Sequence, residues 1–528
     1  MRGHPERALV GPPGQGSFYA AVSCKGAQWL LLAVIVISTF LLAVRLNVTT
    51  NVADDPAQAR VAKLVLNGER PHVDFPYAYT GGQAYLDALA LRIFGDRVSS
   101  LRLMLLMFFV AWLPSFWYIA RKISSPLAAA LLTLLAAVWS VPVFPSPMGS
   151  WYGLYFATFG TAALFRYIET RRSRWVFLAG VLAGLSFLAK VSGLYFLLAA
   201  VLFLLYDEQN VQDEVQFTDI TIPDAAYSVA LTIVLIALDV VLLQLLHSKA
   251  SATEVYHFAV PGIALSFLLI AREWCVPRFP VPVRLWQIAG RLLPLLLGTL
   301  LPVLIFLAPY ISSGTVKTWF RSSLVWPAVN WQAAFHAAIH PVGAMCAIPL
   351  IVMLGFQSML RSQGARRVAF LATCLMAALL LDKALTHPAF ARWIWVSAAT
   401  AIPLTTMIGV LLLLGRRGSG HAKERSQLML LIAVAGLCSV VQFPFSVPVY
   451  FCCVAPLGIL AYIGLAAMVS QEHRVVLLLP VAGFYLAFLV LLILPNHIDR
   501  DGLSFNPVQT SVNAPQSAVT RQTGEGKP

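Results

Sequence analysis

A chain of 528 residues that is 59% apolar and only 11% charged, with a mean hydropathy of +0.77, is not a soluble protein; soluble domains carry about 25% charged residues. Its net charge of +14 is no nucleic-acid signature, because Lys and Arg sit in short segments between apolar runs and not in one basic patch. The seven cysteines lie mostly inside apolar segments with no zinc-type spacing, which argues against a cysteine zinc site or a disulfide framework.

Residues 1–27 read as a polar cytoplasmic segment containing Arg2, Arg7 and Lys25. The apolar run 28–45 has no small-residue cleavage site after it, so it reads as a retained anchor. From 45 to 101 comes the long polar interruption of the first half, which holds Asp54, Asp55, Glu69, His72 and Asp74. Two helices lying along a membrane surface are predicted within it. The first starts at Asp55-Pro56-Ala57-Gln58, a capping-box pattern with Pro at the first helical position. In that reading Asp55 caps the helix, and Asp54 lies just outside it with its carboxylate free. Gly68 stops this helix. The second follows Gly81-Gly82 and sets Leu86, Leu89, Ala90 and Ile93 on one face before Gly95. The intervening ERPHVDFPYAYTGG is rich in Pro, Tyr and Gly and suits an ordered loop.

The remainder predicts an all-α polytopic membrane protein with about 13–15 transmembrane helices within 28–495, each long enough for a core of roughly 30 Å. Expected spans include a tight hairpin over 174–206, a span 226–247 carrying Asp239, and one at 337–358. An acidic inner loop is expected from Asp207 to Asp224, and 496–528 read as a polar, disordered tail. Asp239 is costly in hydrocarbon and should face the bundle interior. Trp319, Trp326 and Trp331 read as an interfacial belt. His336 and His340 are four apart but lack an acidic neighbour, and read as ordinary interfacial histidines. With the N-terminus inside, alternate loops collect cations such as Arg121, Lys122, Arg171, Arg172, Arg284, Arg366 and Arg416. Apart from the long first loop, the other side has Lys190, Lys249, Lys317, Arg321, Lys383 and Arg392. The positive-inside rule then places the 45–101 loop outside the cytoplasm.

Three stretches together resemble the GT-C glycosyltransferases of the protein O-mannosyltransferase and aminoarabinose-transferase type. The first is Asp54-Asp55, then Gly68-Glu69-Arg70-Pro71-His72-Val73-Asp74-Phe75, then Phe94-Gly95 and an Arg102-led span. The second is Gly180, Gly184, Leu185, Leu188, Lys190 and Gly193. The third, looser, is Pro444 to Pro456 around Tyr450. The chain departs from the family in its Asp-Asp pair and in TGGQAYL, where relatives are Pro-rich. The resemblance implies a polyprenyl-phosphate sugar donor, a lipid, glycan or protein acceptor, the lipid bilayer as partner and no nucleic acid. It implies a site on the extracytoplasmic side of a cell membrane, as in a bacterial inner membrane. No cofactor is required, a divalent metal ion is left open, and no metal ligands are named.

Transfer from a lipid phosphate to a hydroxyl needs a base for the acceptor proton, a role that suits Asp54. It also needs positive charge on the departing phosphate, which suits Lys190 at the end of a span. Asp55, Glu69, His72, Asp74 and Tyr450 complete the expected substrate contacts. A polysaccharide polymerase or ligase, or a lipid-carrier flippase, is the alternative, but its chemistry would rest on late Arg/His-rich loops or a central polar cavity. A secondary transporter would show repeated halves, and no internal repeat is present.

Overall fold

The computed structural model describes residues 24–48, 54–213, 226–247, 254–275, 281–325, 362–415, 422–443, 448–469 and 474–493. Among them every regular element is helical, apart from one isolated bridge between Pro71 and Phe75. The helices are α1 (Cys24–Val48), α2 (Asp54–Leu66), α3 (Gly82–Phe94), α4 (Val98–Ile123), α5 (Pro126–Val138), α6 (Gly149–Thr170), α7 (Ser173–Ala189), α8 (Leu194–Asp213) and α9 (Ala226–His247). They continue as α10 (Val260–Glu273), α11 (Val281–Ser312), α12 (Val316–Phe320), α13 (Gln363–Thr386), α14 (Pro388–Gly415), α15 (Ala422–Cys438), α16 (Pro448–Cys452), α17 (Ala455–Val469) and α18 (Arg474–Ile493). Ten of the described helices are long and apolar enough to cross a membrane, and three shorter apolar ones accompany them. Together they agree with the span count expected from the sequence. The expected span 337–358, His336, His340, Trp326, Trp331 and both chain ends lie outside the described residues.

Large apolar side chains on α9 and α11, such as Val234 and Ile305, are more than 60% exposed. In water this would be untenable; in a bilayer these faces meet lipid. The interior is built around aromatic side chains of α4 and α6: Phe109, Trp112, Phe116, Trp151 and Tyr155 are fully buried. Trp112 Nε1 donates to Thr158 Oγ1 at 3.0 Å, so its polar edge costs nothing in that core.

The 174–206 hairpin forms as expected, α7 and α8 being joined at Lys190 by a single 3-10 turn, Val191–Gly193. Hydrophobicity cannot drive helix pairing in lipid, so close backbone approach must. Gly180 and Gly184 supply it: a Cβ on either would run into α11 backbone, at Leu295 and Thr299 respectively. This fixes the end of α7 and therefore Lys190.

α2 and α3 pack on one another through Ala59, Ala62, Ala88 and Leu91, with Leu101 of α4. The predicted surface helix α3 is present and its expected apolar face is split: Leu89 is 47% and Ile93 59% exposed, Leu86 is half-buried and Ala90 is fully buried. Gln83, Ala84, Asp87, Ala88 and Leu91 face the protein instead. The reason is the membrane, which receives the large apolar side chains and leaves the small and polar ones to the interior.

Two further expectations are corrected. Trp319 is not in an exposed belt; it is buried and its Nε1 donates to the Thr80 carbonyl at 2.9 Å. The acidic stretch after 206 is not a loop at its start. Asp207, Glu208, Gln209 and Asn210 are buried in the last turns of α8. They are held by Arg171, which donates to Asp207 at 2.6 Å, and by Arg284, which pairs with Glu208 and Glu273. Asp239 is half-buried and accepts from Ser266 Oγ at 2.9 Å, so its cost is offset by a neighbour.

Candidate active site

The site is assembled where α2, α3 and the 67–81 loop cover the ends of α4, α6, α7 and α11. The loop leaves α2 through Gly68, which has φ +90°, a conformation that suits glycine; Glu69 N then donates back to the Leu64 carbonyl. Glu69 is half-buried at this corner. Asp74 closes the next turn by accepting from Arg70 N at 2.7 Å. Arg70 reaches across to Ser313 Oγ at 2.6 Å, beyond the end of α11. The buried hydroxyl of Tyr310 donates to the Pro71 carbonyl at 3.1 Å. The loop is thus ordered, as its composition predicts, and the clamp comes from α11 and α12.

His72 belongs to the clamp. Its Nε2 lies 2.7 Å from the Tyr79 carbonyl, which only accepts, so Nε2 carries the proton. Nδ1 then accepts from Ser322 Oγ at 3.1 Å. Burial lowers its pKa, with the Tyr79 bond acting the other way, so the ring is neutral at pH 7. With both nitrogens engaged, His72 has no free position for a base.

The Asp-Asp pair divides. The backbone of Asp54 opens α2; its side chain lies outside the described residues. Asp55 is not the cap expected from the sequence, because the helix has already begun at Asp54. Its carboxylate is 2% exposed and bound by Arg102, through Nη2 at 2.6 Å and Nε at 2.7 Å, while its other oxygen accepts from Ser146 Oγ. A carboxylate so paired is an anchor between α2 and α4.

Lys190 ends α7. Its Nζ donates to Ser150 Oγ at 2.8 Å and stands 4.7 Å from the Tyr450 ring centroid and 5.7 Å from that of Tyr79. The structure therefore joins Lys190 and Tyr450, two residues the sequence singled out 260 positions apart. Burial lowers the Lys190 pKa to about 8. Aromatic faces attract an ammonium, and among the described residues no carboxylate pairs with it. A narrow cavity lined by Ser150, Gly153, Ser192, Phe196 and Cys453 adjoins it.

One segment that sequence reading passed over connects these parts. The turn from Ser146 to Ser150 binds Asp55 through Ser146 and Lys190 through Ser150, and its Pro147 carbonyl accepts from Gln83 Nε2 at 2.6 Å. Gly149 is needed there, since a Cβ would stand 2.8 Å from the Ala189 carbonyl oxygen and 2.9 Å from Gln83 Oε1. Thr80 Oγ1 donates to the Leu188 carbonyl at 2.6 Å, and a Cβ on Gly82 would lie 2.6 Å from that same oxygen. The TGG departure thus lets α3 sit directly on the end of α7. Asp87 was also missed. It is fully buried on α3, and Gln83 Nε2 donates to its Oδ2 at 3.3 Å. Burial pushes its carboxyl well above the ordinary range, the Gln83 bond opposes this, and the Asp55 charge adds to it. An acid midway along a surface helix, four residues after Gln83, was the available signal. Among the described residues no group of three or more His, Cys, Asp or Glu could hold a metal ion.

The fold is that of a multi-pass helical membrane protein, and the candidate site gathers Lys190, Asp55, Gln83 and Asp87 at one end of the bundle. Residues 82–247 match the family model described as dolichyl-phosphate-mannose-protein mannosyltransferase. Over that region, from the start of α3 to the end of α9, the chain is similar to this family, a similarity that implies a membrane glycosyltransferase using a polyprenyl-phosphate sugar donor. The match includes Asp87, the 146–150 turn and Lys190 but not the Asp-Asp pair. No curated protein and no solved structure matches the chain.

Proposed function

We propose that this end of the bundle transfers the sugar to an acceptor hydroxyl on the extracytoplasmic face. Asp54 is the general base, and Lys190 neutralises the departing phosphate. The observation that carries the reading is the seat of Lys190: an ammonium at the end of a span, bonded to a hydroxyl and flanked by the Tyr450 and Tyr79 rings, with no carboxylate partner among the described residues. Such a cation is suited to an incoming anion. The 146–150 turn supports the pairing of roles, because it touches both Lys190 and the neighbour of Asp54. Asp55 is committed to Arg102; Asp54, the first acidic residue of the loop and the acidic position that the resemblance singles out, is the carboxylate assigned to proton abstraction. Glu69, His72 and Asp74 shape the loop over the sugar, and Tyr450 flanks the phosphate. The cation distribution supports the sidedness.

The test is transfer by purified protein in lipid vesicles, using a panel of polyprenyl-phosphate sugars with lipid, glycan and peptide acceptors. Release of polyprenyl phosphate coupled to acceptor glycosylation is expected with at least one pair. Transfer from nucleotide sugars alone would overturn the reading.

A further inference from the structure

We infer that Asp87 is a positioning residue for transfer and acts as a neutral acid: it fixes the Gln83 amide against the Pro147 carbonyl and so seats the 146–150 turn between Asp55 and Lys190. The inference rests on the transfer reading above. Gln83 and Asp87 are both fully buried. Gln83 Nε2 contacts the Pro147 carbonyl at 2.6 Å and Asp87 Oδ2 at 3.3 Å. Both acceptors call for the same end of the amide, and Asp87 holds it in place: a flipped amide would set its oxygen against the Pro147 carbonyl and against Oδ2.

The unpartnered atoms give the protonation state. Among the described residues Asp87 Oδ1, Gln83 Oε1 and the Tyr152 hydroxyl are buried without a hydrogen-bond partner. An amide oxygen and an ionised carboxylate oxygen both only accept. An ionised Oδ1 would be a buried anionic oxygen with no donor bonded to it, the Tyr152 hydroxyl included; a proton there removes that charge. The surrounding charges agree. α2 presents Asp55, a like charge already bound to Arg102 of α4. α6 presents Tyr152 and the loop Tyr77. At the end of α7, Lys190 donates to Ser150. On α3 itself Arg92 is exposed. No described cation pairs with Asp87, and a lone buried carboxylate takes up a proton in preference to staying ionised.

The test uses the full-length enzyme in lipid nanodiscs, with a polyprenyl monophosphate as probe, so that neither sugar nor acceptor has to be known. The infrared difference spectrum of wild type minus Asp87→Asn at pH 7 should show the carbonyl stretch of a protonated carboxylic acid. Asp87→Asn, neutral and isosteric, should bind the probe within about threefold of wild type, whereas Asp87→Ala should weaken it about tenfold, the order of one buried hydrogen bond lost. Gel filtration establishes that both variants fold. Absence of the infrared band overturns the inference. So does an Asp87→Asn as weak as Asp87→Ala, which would mean the negative charge is needed, or an Asp87→Ala that binds like wild type. Lys190→Ala is the control: if it weakens the probe while the Asp87 variants do not, only the present inference falls. If wild type does not bind the probe, the donor reading falls, and the infrared band still decides the charge of Asp87.

Discussion

The two ends of the helical bundle both bury charge, and they treat it differently. At the end opposite Lys190, Arg284 is 2% exposed and pairs with Glu208 and Glu273, while Arg171 takes Asp207. These charges close on one another and tie α8, α10 and α11 together. At the other end, Asp55 and Arg102 close in the same manner, but around them stand groups that do not. Lys190 meets a hydroxyl and two rings, and Asp87 Oδ1, Gln83 Oε1 and the Tyr152 hydroxyl lack partners among the described residues. Buried polar groups in folded proteins are overwhelmingly bonded. Exceptions occur at both ends, Gln209 Oε1 and Arg291 Nη1 lying beside the Arg284 cluster; what sets the Lys190 end apart is an ammonium with no carboxylate partner among the described residues.

The comparison can be broken most directly at the Asp-Asp pair. A positioned base contributes about 10²–10⁴-fold, so Asp54→Asn should lose turnover on that scale with donor affinity and melting temperature unchanged. Asp55→Asn leaves Arg102 uncompensated, a loss of about 3–5 kcal/mol for a buried pair, and should appear first as a lowered melting temperature. If the two variants behave alike in both assays, the division of roles fails. The Arg284 end should respond as Asp55 does: Arg284→Ala should lower stability by about 3–5 kcal/mol, while the protein that remains folded binds donor normally. Altered donor affinity would join the two ends functionally.

Lys190→Ala should weaken polyprenyl-phosphate binding by about 10- to 100-fold, the order for a bond to a charged group. Its pH dependence sharpens the point. With a pKa of about 8, the ammonium is present at pH 7 and is lost as pH rises through 8, so donor affinity should fall over that window. Lys190→Arg stays charged and should flatten the fall; a fall that persists unchanged in Lys190→Arg would assign it to another group. The smallest effect is expected at His72. Its neutral ring is a strut between Tyr79 and Ser322, so His72→Gln should cost about 1 kcal/mol in melting and leave the pH profile of turnover unchanged.

Much of this was legible in sequence. The helical membrane class, the α7–α8 hairpin and the ordered 67–81 loop follow from composition and spacing, while the resemblance pointed to Lys190 and Tyr450, which the fold places side by side. What was not legible depended on partners. Asp55 reads locally as a cap and becomes an ion-pair anchor only because Arg102 lies on α4. The apolar residues of α3 gave its helical period, but not which face meets lipid. Trp319 resembles an interface residue until Thr80 is brought to it across more than two hundred positions. The PSPMGS turn has no signature of its own; it matters because Asp55, Gln83 and Lys190 converge on it.

The most direct test of the central claim is a single-turnover assay with a competent polyprenyl-phosphate sugar, comparing Asp54→Asn and Lys190→Ala with wild type. Donor occupancy and donor cleavage are read separately. The account predicts that Asp54→Asn fills with donor and does not cleave it, while Lys190→Ala fails to fill at wild-type saturating concentrations. Wild-type occupancy and cleavage in both variants would contradict it.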